Sequence, residues 1–390
     1  MIHDLASQFQ DHLHLPDPTP LYVVLGTLAA NMITGDPVWL MVIGPSSSGK
    51  TQTIMSTLAL PHVHAVSDIT GPGALLSGVS DKDKEKGAHG GILRKVGKRG
   101  AILMEDFTST VMQLPMDTRK QIMSAFRLIY NGWYDRNIGG GGGRTLVWTG
   151  KIALLAGGTG VIDQMRSENS ALGERWLYYR FPKTDGYGES IKAARNTEPD
   201  VVSRELRDLV VHFFNTMGLE WIVPCPHDCT AEHDHRVEPT SRDLTERELN
   251  RLMCISGVVT SIRNFTIRHY RTGEIVDPNR SELPPRLNKE LAQLYRGMEL
   301  IGLEPHERWD AIGKVAMDSV PELRAKVVEL LRGGPMSKGE VRKRTRYGPT
   351  VIDQAMEDME IFGIVELVDK QYRLTDKIAK ELNVGWGRRA

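Results

Sequence analysis

The sequence predicts an α/β fold with a parallel sheet, then a helical region, then a small C-terminal module of three helices and a hairpin. Three observations carry this. Apolar strands alternate with helical stretches between 39 and 185. The first strand, "WLMVI", runs directly into "GPSSSGKT" at 44–51. From 319 to 383 the pattern becomes helix, helix, helix and two short strands.

In chain order, 1–38 reads as a helical lead-in, with "LYVVLGTLAANMI" apolar enough to cover a core and "TGDP" turning out of it. Residues 39–197 form the α/β core, with strands "WLMVIG", "HAVSDI", "GAILMED" and "KIALLAGG". Residues 198–318 read as a helical lid, broken by polar loops at 223–243 and 271–285, and 319–390 is the C-terminal module. Formal net charge is zero over 390 residues, so nucleic-acid binding must use local patches. The three cysteines, Cys225, Cys229 and Cys254, exclude a disulfide framework. No apolar run reaches membrane-span length and "MIHDLASQFQ" lacks a signal pattern, so a reducing cytoplasm and no membrane partner are expected.

"GPSSSGKT" has the spacing G-x-x-x-x-G-K-[ST] of a phosphate-binding loop. Gly44, Pro45, Ser46, Ser47, Ser48, Gly49, Lys50, Thr51 and Gln52 are its expected nucleotide contacts. The glycines let backbone N–H groups turn inward onto phosphate oxygens, Lys50 neutralises the β- and γ-phosphates, and the Thr51 hydroxyl is a magnesium ligand. "AILMED" ends a buried strand in two acids. By position Glu105 takes the magnesium role and Asp106 orients the attacking water, in the reverse of the common Asp–Glu order. ATP and magnesium are therefore the expected cofactors.

"GWYDRNI", a five-glycine run and "RTLVWTG" read as a β-hairpin just before a core strand, with Arg136 and Arg144 flanking its tip. The loop 69–100 carries Lys82, Lys84 and Lys86, interleaved with Asp81, Asp83 and Glu85 in the manner of a solvated surface. In "CPHDCTAEHDH", Cys225, Cys229, His233 and His235 are either a zinc site of irregular spacing or a polar loop with two reduced cysteines.

In the C-terminal module Ser337 caps a second helix and Pro349 opens a third. "IVELV" and "QYRLT" pair around Asp369-Lys370. Lys338, Arg342, Lys343, Arg344 and Arg346 make a basic patch against Glu340 alone, whereas Asp353, Glu357 and Asp358 on the third helix are expected to repel a phosphate backbone. The segment resembles a winged helix, a module for DNA or protein contact.

In this order, over roughly 39–305, the parts resemble the AAA+ ATPases. The likeness is to the branch of minichromosome maintenance helicases and bacterial enhancer-binding activators, and to ATPases of bacteriophages and mobile elements. "GPGALLSGVSDKDKEKGAHGGILRKVGKRGAILMEDF" is similar to the insertion and acidic strand of that branch, and "RTLVWTGKIALLAGGTG" to its hairpin and sensor strand. The resemblance implies Thr159 as the polar sensor, Arg175 as arginine finger with Arg180 the weaker candidate, and Arg286 as second sensor. A surface ion pair of Arg175 with Glu174 or Glu168 is the alternative. The finger implies a homo-oligomeric, hexameric ring. The function implied is an ATPase acting as a DNA helicase, of phage or mobile-element replicative type, alongside phage or host replication proteins. Its pore contacts are Lys82, Lys84, Lys86, Arg136 and Arg144. The alternative is a loader or transcription regulator that remodels a protein partner. A small-molecule phosphotransferase leaves the hairpin, finger and winged helix unexplained.

Overall fold

A computed structural model describes residues 1–79, 89–139, 143–165, 175–182, 186–221, 241–269, 271–279 and 283–387. The chain forms two compact units. The first comprises Met1–Ile162, Arg175–Arg242 and Gln293–Arg308, and the second Asp163–Glu174, Asp243–Ala292 and Trp309–Ala390. The segment read as one helical lid, 198–318, is thus shared between them. Among the described residues no helix is long and apolar enough to cross a membrane.

Seven strands follow in the first unit: β1 (Trp39–Ile43), β2 (Val63–Ala65), β3 (Arg99–Met104), β4 (Trp133–Ile138), β5 (Arg144–Thr149), β6 (Lys151–Gly158) and β7 (Leu177–Arg180). Five make one parallel sheet in the order β2-β3-β6-β1-β7. All five β1 side chains are buried, as expected for a central strand covered on both faces. Each large one contributes about 1.5–3 kcal/mol of burial. Strand β7 was not anticipated: "LYYR" has only four residues, and the sequence there was absorbed into the finger segment. Trp39 centres an aromatic cluster with Phe126, Tyr130 and Trp176, and its indole N–H donates to the Ile152 carbonyl at 2.9 Å.

The lead-in forms helices Ile2–His12 and Thr19–Met32. The second is buried nearly all round and ends in Asn31, which exchanges two hydrogen bonds with the Val38 backbone at the start of β1. It meets the Gln293–Leu300 stretch of helix Pro284–Leu300 backbone to backbone, because a Cβ on Gly297 would lie 2.1 Å from the Gly26 carbonyl oxygen.

Strands β4 and β5 form the expected antiparallel hairpin directly before β6. It is pinned at two points. The Trp148 indole N–H donates to the Gly97 carbonyl at 2.8 Å, and the Arg136 guanidinium donates to the Leu76 carbonyl at 2.9 Å. The opposite face exposes Trp133 and Val147.

In the second unit, helix Glu246–Arg263 starts with a capping box between Thr245 and Glu248. Strands β8 (Phe265–Arg268) and β9 (Ile275–Asn279) pair antiparallel, β8 in the stretch read as helical and β9 in the segment 271–285 read as a polar loop. Helices Glu322–Arg332, Lys338–Thr345 and Pro349–Ile361 precede β10 (Val365–Val368) and β11 (Gln371–Leu374). Their turn residues Asp369 and Lys370 have φ of 50° and 63°, as a tight hairpin turn requires. Met336 adds a bridge to Tyr372, and Ser337 and Pro349 open their helices as expected. A last helix, Asp376–Trp386, was not foreseen. It lies on Glu246–Arg263, with Arg251 Nε donating to the Gly385 carbonyl at 2.8 Å.

The acids on Pro349–Ile361 correct one expectation. Asp353, Glu357 and Asp358 are not free repulsive charges: Lys338 pairs with Asp353 at 3.0 Å, Arg268 pairs with Glu357 at 2.8 Å, and buried Asp358 holds both Arg268 and Arg324. Thr266 also donates to Asp358 at 2.6 Å. Asp358→Ala leaves a buried arginine without its carboxylate and is expected to cost about 3–5 kcal/mol in urea unfolding. Glu357→Ala removes a half-exposed partner and is expected to cost no more than about 1 kcal/mol.

Candidate nucleotide site

The parallel register sets the site. Ile43 lies opposite both Gly158 and Arg180, and Met104 opposite Ala156, so β3, β6, β1 and β7 end together. Ligands of parallel α/β sheets bind at this edge. The segments leaving it are the 44–51 loop after β1, Glu105–Asp106 after β3 and Thr159 after β6.

The loop begins with the Gly44 N–H donating to the Gly158 carbonyl at 3.1 Å. A side chain at Gly44 would bring Cβ to 2.9 Å from Ser48 Oγ and 3.1 Å from Phe181 Cβ, so the curl closes only over glycine. Ser47 and Gly49 both adopt left-handed backbone, with φ of 64° and 81°. For Ser47 this costs about 1–3 kcal/mol, a strain typical of ligand-cradling turns. Lys50 Nζ donates across the loop to the Pro45 carbonyl at 3.0 Å. Burial lowers the Lys50 pKa and the nearby Asp106 carboxylate opposes that shift. Ser48 Oγ is buried with no hydrogen-bond partner among the described residues. A curled backbone, a desolvated cation and an orphaned hydroxyl fit a polyphosphate, so the residues present suit the nucleotide.

The two acids differ in surroundings. Asp106 accepts the Thr108 N–H at 2.9 Å and opens the helical turn Thr108–Met112. Glu105 is exposed at the end of β3 and borders a cavity of about 150 Å³ together with Thr51 and Gln52. The two predicted magnesium ligands therefore share one cleft. Thr159 is half-buried, and its N–H donates to Thr108 Oγ1 at 3.3 Å.

Arg175 is 8% exposed, its guanidinium 5.6 Å from the centre of the Tyr130 ring. A finger acting on a neighbouring subunit requires that group to leave its own core. Arg180 ends β7, beside the start of the 44–51 loop. Arg286 belongs to the second unit, on helix Pro284–Leu300.

Of the expected DNA contacts, Arg144 is exposed, and Arg136 is half-buried with one donor on the Leu76 carbonyl. Lys82, Lys84 and Lys86 lie outside the described residues, as do Cys225, Cys229, His233 and His235. Arg342, Lys343, Arg344 and Arg346 are exposed, while Lys338 is held by Asp353. Sequence reasoning missed Arg207, on helix Pro199–Met217, which borders the Thr51–Glu105 cleft. No motif singles it out among the charges of that helix. The chain matches no protein-family model and no curated protein sequence.

Because Asp106 holds the Lys50 pKa up against burial, Asp106→Asn is expected to lower it further. More neutral amine is then present at any alkaline pH below the parent pKa. Acetylation of Lys50 at pH 9, followed by mass spectrometry, should run faster in the variant. An equal or slower rate contradicts the coupling.

Proposed function

We propose that the protein is an AAA+ ATPase that assembles into a ring and moves on DNA, as a replicative helicase of phage or mobile-element type does. The observation that supports it most is the convergence of phosphate loop, acid pair and polar Thr159 on the adjacent strands β1, β3 and β6. In this reading Gly44–Gln52 hold the nucleotide phosphates, with Lys50 as the fixed cation. Thr51 and Glu105 hold magnesium, which when bound neutralises charge developing on the phosphates. Asp106, already oriented by the Thr108 N–H, positions the attacking water, and Thr159 senses the phosphate. Arg175 and Arg286 act between or above sites in the ring, where an arginine finger is worth about 10³–10⁵ in rate.

The DNA arm of the reading draws on exposed Arg144 and on the exposed cluster Arg342, Lys343, Arg344 and Arg346. Three helices and the β10–β11 hairpin, bridged by Met336, favour reading the C-terminal module as a winged helix. The pairing of Asp353, Glu357 and Asp358 removes the main electrostatic objection to DNA there. The cytoplasm is the site of action in this reading. The second reading, a loader or regulator that remodels a protein, is favoured by the hairpin itself. Its outer face offers Trp133 and Val147, a surface suited to protein more than to phosphate.

Strand displacement on forked DNA with ATP separates the two. The helicase reading expects unwinding by the parent and none by Lys50→Ala. ATP turnover without unwinding favours the remodeller, and turnover by Lys50→Ala equal to the parent sinks the nucleotide assignment. On the helicase reading, Arg144→Ala should weaken single-stranded DNA binding and flatten its log–log salt dependence by about 0.7 per lost phosphate contact. An unchanged slope in fluorescence anisotropy across several salt concentrations removes the hairpin tip from the DNA path.

A further inference from the structure

Helix Pro199–Met217 turns Leu206, Val210, Phe213 and Phe214 into the core. Ser203 and Arg207, one turn apart, share another face. That face borders the same cavity of about 150 Å³ as Thr51, Gln52 and Glu105. The Ser203 hydroxyl donates to the Pro199 carbonyl at 2.8 Å. Arg207 is half-buried, and its one hydrogen bond among the described residues is a long one, Nε to the Met55 carbonyl at 3.4 Å. A guanidinium carries five donors, so most of its capacity is unused in a partly desolvated place.

Glu105 also makes no ion pair among the described residues. A carboxylate and a guanidinium bordering one small cleft attract each other, and such groups ordinarily close into a bidentate pair. Here no such pair forms among the described residues. A ligand that satisfies both presents anionic oxygen to the arginine and a cation to the carboxylate, which describes a phosphate carrying a divalent metal. The side facing Thr51 and Glu105 is the metal side, and Lys50 is already tethered to the Pro45 carbonyl.

We propose that Arg207 contacts the polyphosphate of magnesium-bound nucleotide directly, as this chain's own cation on the flank shared by Thr51 and Glu105. The inference rests on the nucleotide reading above. It gives helix Pro199–Met217 a direct tie to nucleotide occupancy, and it differs from the roles expected of Arg175, stacked on Tyr130, and Arg286, which belongs to the second unit.

Titration calorimetry of the full chain with MgATP tests it, using the parent, Arg207→Ala, Arg207→Lys and Lys50→Ala, with thermal melting of each without nucleotide. A charged hydrogen bond to phosphate predicts that Arg207→Ala weakens MgATP binding about tenfold to a hundredfold with its melting temperature little changed. Arg207→Lys, which keeps the charge, should recover part of the loss. Parent-like MgATP affinity in Arg207→Ala overturns the inference and leaves the nucleotide reading standing. So does a loss that Arg207→Lys shares in full and that tracks a lowered melting temperature. A parent that binds no MgATP, or Lys50→Ala binding it as the parent does, brings down the nucleotide reading and this inference together.

Discussion

The pairing of β1 with β6 is the constraint on which the first unit depends. Trp39 faces Leu154 and Ile43 faces Gly158 in parallel register, and the Trp39 indole is fastened to the carbonyl of Ile152 on the same neighbouring strand. A slip of one residue would turn every β1 side chain to the other face and carry the Gly44 N–H away from the Gly158 carbonyl. The 44–51 loop would then open at its first residue. The aromatic cluster around Trp39 makes such a slip costly, because edge-on rings tolerate little displacement. Glycine is required at the far end for a related reason. A Cβ on Gly157 would lie 2.3 Å from the Glu105 carbonyl oxygen, so β6 passes β3 too closely for any side chain just where the acids emerge.

Much of the candidate site was legible because its residues lie in short continuous motifs. "GPSSSGKT" and "AILMED" each combine a strand with the residues that leave it, so local pattern already places the chemistry. The hairpin and the C-terminal helices were legible for the same reason: glycine, proline and capping residues punctuate them. What escaped is non-local. Strand β7 is four residues long and is defined by its pairing with β1 rather than by alternation. The β8–β9 hairpin contains Pro278 and is secured largely by Arg268 reaching residues some ninety positions away. Arg207 is an ordinary surface-type arginine until the fold brings it beside Thr51 and Glu105.

Charge read along the sequence also misled where partners are distant. Asp353, Glu357 and Asp358 look like an acidic face, yet each meets a cation supplied by another element. Asp358 is the strongest case, because it neutralises two arginines while Arg324 also donates to the carbonyl oxygens of Ile262 and Asn264. Within the second unit, this one carboxylate ties helix Pro349–Ile361 to strand β8 and to helix Glu322–Arg332, and through Arg324 to the end of helix Glu246–Arg263.

The two anchors of the β4–β5 hairpin have a mechanical consequence. Trp148 is fixed to Gly97, immediately before the residues that enter β3, and Arg136 to Leu76, just beyond the short helix Pro72–Leu75. A ribbon held at two points along its length cannot shift independently of the segments that hold it. A displacement of the ribbon is therefore shared with the root of the strand that leads to Glu105 and Asp106. Two hydrogen bonds to backbone carbonyls, together with buried Tyr134, Leu146 and Trp148, make that coupling.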